Sequence, residues 1–241
     1  MQTIGTRQNH RTLRLGAVVL AAGLALSSSL PTGAAGRGQP LDPTRPHYGT
    51  SYEELAGDWW NWAVQFPLAT NPITENGPVD CSRGQSGKIW FLAGNFGGVA
   101  GEANPAVRTC AIPRGKALFF PVSNILFWVP EDGADVDAIR RGANQAINAI
   151  NLLEVSLDGR KITDLFSYRA QSPPGGFSLR FGPLLADFDY PPTPDPRQPA
   201  VADGYWILLA PLSRGTHLLR IKSGNSVNLP LDVTYHLSID R

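Results

Sequence analysis

The sequence predicts a mostly-β fold: a single β-sandwich of jelly-roll or immunoglobulin-like type with two inserted helices. Three observations carry that expectation. Gly and Pro number 25 and 21 among 241 residues, close to a fifth of the chain, and such a density of turn formers suits short strands and disfavours long helices. Hydrophobic residues make up 42% and charged residues 17%, against roughly 25% charged in an ordinary soluble domain, so the chain is too apolar to be disordered. Through the second half, apolar residues recur with period two, the alternation of half-buried strands.

The N-terminal segment stands apart from the fold. Arg7, Arg11 and Arg14 precede an apolar run from Leu15 to Leu26, followed by Ser27, Ser28, Ser29 and the small residues Gly33, Ala34 and Ala35. This is the pattern of a secretory signal peptide over residues 1–35, with cleavage expected near Ala35. The apolar run is about a dozen residues, short of the roughly 20 that span a bilayer, and no longer one follows. No membrane span is expected. There is neither an adjacent arginine pair for twin-arginine export nor a cysteine after the run to take a lipid. The expected product is one domain of residues 36–241, secreted or periplasmic/extracellular. It carries 18 basic and 20 acidic side chains, and without a basic excess nucleic acid is not an expected partner. Cys81 and Cys110, the only cysteines, are most simply a disulfide in an oxidising compartment.

Along the mature chain, Pro40, Pro43 and Pro46 with Gly36, Gly38 and Gly49 read as an irregular leader. A helix follows near 51–66. Thr50 and Ser51 each precede a glutamate by three residues, the capping-box spacing, and Pro67 closes the segment. Tyr52, Leu55, Trp59, Trp62, Ala63 and Phe66 fall on one helical stripe facing the core, and Trp60 falls outside it. Residues 68–87 are turn-rich. Strands are expected at Lys88–Ala93, Arg108–Ile112 and Ala117–Val129, with Pro121 at an edge or bulge. A glycine-rich loop runs from Gly94 to Gly101.

A second helix is expected near 136–152, where Val136, Ile139, Ala143, Ala146, Ile147 and Ile150 recur at helical spacing behind Asp132 and Asp135. Leu153, Val155 and Leu157 then alternate up to an Asp158-Gly159 turn, and Phe177, Leu179 and Phe181 alternate after Pro173 to Gly176. Strands at Tyr205–Ala210, His217–Lys222 and Val233–Ile239 complete the set, and the proline-rich stretch Tyr190–Pro199 reads as an extended loop.

Four strings carry a resemblance: SYEELAGDWWNWAVQFPLATNP (51–72), DCSRGQSGKIWFLAG (80–94), RTCAIPRGKALFFPVSN (108–124), and PLSRGTHLLRIK (211–222) with the final VTYHL strand. Together they resemble a group of uncharacterised exported bacterial proteins with a WWxW helix, a Cys pair and a GKALFFP strand. The resemblance covers most of the mature chain and implies export and a shared fold.

The tryptophans are the first candidates for chemistry, because a rigidly held indole stacks on sugar rings with little conformational entropy to lose. Trp59 and Trp62 read as core. Trp60, with Trp90 or Trp128, is the candidate aromatic shelf, and Asn61, Gln65 or Asn124 are the candidate hydrogen-bonding partners. Carboxylates give the alternative: Glu53, Glu54, Asp58 or Glu131 as acid or base in glycoside chemistry. No cofactor is expected. Glu131, Asp132, Asp135 and Asp137 offer oxygen donors of the kind calcium takes, but without the EF-hand pattern and with a helix N-terminus to account for them. His47, His217 and His236 match no zinc signature, and Gly84 to Gly87 does not complete GxSxG. A triad assembled from distant residues stays open. Two functions follow: a secreted binding or accessory protein recognising a polysaccharide or cell-envelope component through surface aromatics, or a secreted carbohydrate-active enzyme, hydrolase or lyase, on the same fold.

Overall fold

A computed structural model of the chain describes residues 37–96, 105–190, 197–224 and 231–240. The expected signal peptide, the glycine-rich loop beyond residue 96 and the proline-rich residues 191–196 lie outside the described residues. The rest belongs to one compact unit, Ala35–Arg241.

Among the described residues, eleven strands form two sheets. The first contains β1 (Gly77–Pro78), β3 (Ala106–Ile112), β11 (Leu231–Ile239), β10 (Gly215–Gly224), β5 (Leu152–Leu157) and β6 (Arg160–Ile162), in that order. The second runs β2 (Ile89–Phe91), β4 (Ala117–Trp128), β9 (Arg197–Leu209), β7 (Arg169–Gln171), and β8 (Phe177–Arg180) also pairs with β9. Among the described residues three α-helices join them: α1 (Tyr52–Ala63), α2 (Val136–Asn148) and α3 (Pro183–Asp187). The expected β-sandwich with inserted helices is therefore present. Both sheets are mixed, since β11 with β3 and β2 with β4 pair in parallel, whereas jelly-roll and immunoglobulin-like sheets are antiparallel.

The molecule is layered as helix, sheet, sheet. Between the sheets, Leu118, Phe120, Ile207 and Leu209 meet Ile112, Leu219, Ile221, Val233 and Leu237. On the other face of β4 and β9, Phe119, Trp206 and Leu208 meet Tyr52, Leu55, Trp59 and Trp62 of α1. Strands β4 and β9 are thus buried on both faces, which is why they read as long apolar runs rather than alternating ones. A register shift between Pro121 and Ser123 reverses the facing of β4: Ala117 and Phe119 face the helix before it, Leu126 and Trp128 after it. The proline sits at a bulge because it has no N–H for a central ladder.

Helix α1 begins at a capping box, in which Ser51 accepts from the Glu54 N–H and Glu54 accepts from the Ser51 N–H. It ends at Ala63 rather than near 66, and α2 ends at Asn148 rather than near 152. Four strands and helices were unexpected: β1, which lies inside the turn-rich segment, β6, β7 and α3. The stretch 190–199 is in part strand, because β9 already begins at Arg197 and Pro199 pairs with Ser178. The Cys81–Cys110 disulfide is formed and ties the turn-rich segment to β3.

Candidate functional site

A cavity of about 580 Å³ lies at the rim where the β5–β6 hairpin, the β9–β10 connection and residues 37–40 converge. Each wall has a local cause. Residues 38–41 run along the end of β9, where Leu41 N–H donates to Leu208 and Ala210 N–H donates to Gln39, and this carries Arg37 to the cavity. The hairpin turns on Asp158 and Gly159, both at positive φ (52° and 77°), as a two-residue turn between right-twisted strands requires. Leu157, Ile162 and Leu212 give the apolar part of the lining, and Tyr168 adds an aromatic ring.

Three polar side chains form a hydrogen-bonded series in this cavity. Asp158 Oδ2 lies 2.7 Å from His217 Nδ1, and His217 Nε2 lies 3.3 Å from Ser213 Oγ and 2.9 Å from the Ser213 carbonyl oxygen. The other oxygen of Asp158 accepts from the Leu218 N–H at 2.8 Å, which fixes the carboxylate. Desolvation pushes this carboxyl up, but the hydrogen bonds from His217 and Leu218, with the charges of His217 and Arg160, outweigh it and hold the group below its ordinary value. Around the series stand Arg37, Arg160 and Lys161, all exposed. Asp158 is the only carboxylate in the lining, and it is committed to His217. The cavity therefore presents excess positive charge to a solute.

The residues expected from the sequence lie outside this cavity: Trp60, Asn61 and Gln65 stand together at the end of α1, and Trp90, Asn124 and Trp128 belong to other elements. Trp60 is half-buried, edge-on to Trp59 at 5.0 Å, with its indole nitrogen buried and unpartnered. It packs against the helix-side core, because β8 and its neighbours cover the flank of α1 that helical periodicity assigns to solvent. Asn61 clamps β8, donating to the Ser178 carbonyl and accepting from the Arg180 N–H, and Gln65 donates back to the Asn61 carbonyl. Trp90 is buried under the Lys116 ammonium, 5.5 Å from the ring centre. Trp128 is buried edge-on to Tyr190 at 4.8 Å. Asn124 lines a second cavity of about 180 Å³ with Phe96, Ser123 and Ser223, and its amide nitrogen is buried without a partner. Trp59 and Trp62 are core, donating to the carbonyls of Leu92 and Arg83.

Three of the acidic candidates, Glu54, Asp132 and Asp135, have structural employment. Glu54 closes the capping box, and partial desolvation beside Glu54 raises the Asp58 carboxyl above its ordinary value. Asp132 accepts from the Trp128 N–H and Asp135 caps α2 through the Ala138 N–H. Among the described residues, no group of three or more His, Cys, Asp and Glu is placed to hold a metal, and no helix is long and apolar enough to cross a membrane.

Sequence reading saw the Asp158-Gly159 turn and the His217 strand separately. The signal that joins them is antiparallel pairing of β5 with β10, which places Leu157 opposite Leu219 and the hairpin tip beside His217. Comparison with protein-family models, curated proteins and solved structures gives no match to this chain.

Proposed function

We propose that the protein is an exported binding protein that holds an anionic stretch of a polysaccharide or other cell-envelope component in the cavity walled by Arg37, Arg160 and Lys161. One observation carries the reading: the cavity of about 580 Å³ sets three cationic side chains against a single carboxylate that is already paired. A carboxylated, sulfated or phosphorylated chain would find complementary charge there, with Tyr168 and the aliphatic floor for the sugar faces. The leader pattern and the disulfide support an oxidising destination outside the cytoplasm. The aromatic shelf of the sequence reading gives way to this cavity as the centre of recognition, because Trp60 is half-buried and Trp90 and Trp128 are buried.

The test is titration of the purified protein with polygalacturonate and with neutral dextran, in wild type and in an Arg160→Ala/Lys161→Ala variant. The expected result is saturable binding of the polyuronate that weakens with added salt, at least about 10-fold weaker binding in the variant, and no comparable binding of dextran. Equal binding by wild type and variant, or no binding of the acidic polymer, overturns the proposal.

A further inference from the structure

The same cavity contains a group whose charge changes with its proton. We infer that His217 is a pH-dependent bridge: as the imidazolium it neutralises Asp158 and ties the β5–β6 hairpin to the β9–β10 connection, and loss of its proton turns Asp158 against an anionic ligand. The effect on the ligand rests on the binding reading above; the doubly protonated ring rests only on its own contacts.

The partners of the ring fix how many protons it carries when both contacts are made. Nδ1 lies 2.7 Å from Asp158 Oδ2, and Nε2 lies 2.9 Å from the Ser213 carbonyl oxygen. A carboxylate and a carbonyl only accept. A neutral imidazole has one N–H, so either tautomer sets a lone pair against one of these oxygens, and the imidazolium alone donates to both. The Ser213 hydroxyl, at 3.3 Å, is the more distant neighbour of Nε2. The carboxylate is held in place, because its other oxygen accepts from the Leu218 N–H at 2.8 Å. With the histidine side chain 11% exposed, water has little room to replace either contact.

The consequence for the cavity is one of charge. With the ring protonated, the Asp158–His217 pair is neutral, and Arg37, Arg160 and Lys161 face a solute with three positive charges. With the ring neutral, Asp158 is uncompensated and cancels one of the three. Three further groups stand close: Arg214 follows Ser213 in the connection, Tyr168 lines the same cavity, and His236 of β11 lines a neighbouring one with His217. The Asp158 carboxyl is held below its ordinary value, and burial, with the charges of Asp42 and Asp164, pushes the Tyr168 phenol up. Neither therefore changes charge between about pH 5 and 8, the range in which an imidazole does. Guanidinium and ammonium groups titrate above that range. His236 is exposed and lies outside the lining of the cationic cavity.

The experiment has two parts. In ligand-free protein labelled with ¹⁵N-histidine, the His217 ring signals are those missing from His217→Gln. Both nitrogens should carry a proton at about pH 5 and only one at about pH 8. A ring with a single N–H at pH 5 overturns the inference. Polygalacturonate is then titrated at both pH values, at which its own carboxylates are ionised. Wild-type binding should be at least about 3-fold weaker at pH 8 than at pH 5. His217→Gln should show the weaker affinity at both, and His236→Gln should keep the full response. Asp158→Asn at pH 8 should bind as tightly as wild type at pH 5, since the three positive charges then stand unopposed. Equal wild-type affinity at the two pH values, or a response that persists undiminished in His217→Gln, overturns the inference. If the polymer binds at neither pH, the binding reading falls, and with it the effect on the ligand, while the ring spectrum still decides the bridge.

Discussion

Replacing Arg108 by methionine tests how the core of the first sheet is held. Arg108 is 1% exposed, and no carboxylate is among its hydrogen-bond partners. Its guanidinium donates to the carbonyls of Ile73, Glu75 and Ala93 at 2.9, 2.8 and 2.8 Å and to the Tyr235 hydroxyl at 2.8 Å. It thereby joins the turn-rich segment, the residues after β2 and strand β11. Tyr235 and Ala93 keep each other as partners, since the hydroxyl donates to the Ala93 carbonyl and accepts from its N–H. The carbonyls of Ile73 and Glu75 lose the arginine donor outright, at about 1 to 3 kcal/mol each. Relief from burying a charge offsets part of that. The expected net loss is about 3 kcal/mol, read as a lower urea midpoint at unchanged slope and a Tm lower by roughly 6 to 12 °C. Arg108→Lys should not rescue it, because one ammonium cannot span carbonyls on both sides of the fork. A loss below about 1 kcal/mol, or full stability in the lysine variant, would refute the clamp.

Three further outcomes are expected. Cys81→Ser/Cys110→Ser opens a loop with a sequence separation of 29 residues and should cost about 3 to 4 kcal/mol in denaturant titration, in the chain-entropy account. Asp158 has a folded-state pKa below its unfolded value, so its stabilising contribution is complete above about pH 4 and is lost as the pH falls through the folded value. Because the side chain is 44% exposed, the effect is small, and Asp158→Asn should show a shallower fall of Tm between about pH 4 and 2 than wild type. Gly182→Ala should destabilise by about 1 to 3 kcal/mol in the same titration, since a Cβ there would lie 2.1 Å from the Val64 carbonyl oxygen; an unchanged midpoint would show that α3 shifts away freely.

Much of the fold was legible because it depends on local periodicity. The capping box at Ser51 and Glu54 and the stripe of Tyr52, Leu55, Trp59 and Trp62 define α1 without reference to anything distant. The Asp158-Gly159 pair announces its hairpin. The missed elements are short ones whose stability comes from partners: β7 exists because Arg169 to Gln171 pair with Asp203 to Tyr205, and Asp203, fully buried, is paired by Arg169 at 2.7 Å and bonded by Gln171 at 2.9 Å.

The sequence alone determined the β-rich class, the Cys81–Cys110 pairing, the two longer helices and an edge or bulge position for Pro121, because composition, spacing and a missing N–H act within a few residues or leave few choices. Only tertiary structure decided that Trp60 packs half-buried against the helix-side core, and that Arg37, Asp158, Ser213 and His217 share one cavity. Those outcomes depend on which strands pair and in what register, and strand pairing over more than fifty residues leaves no trace in local periodicity.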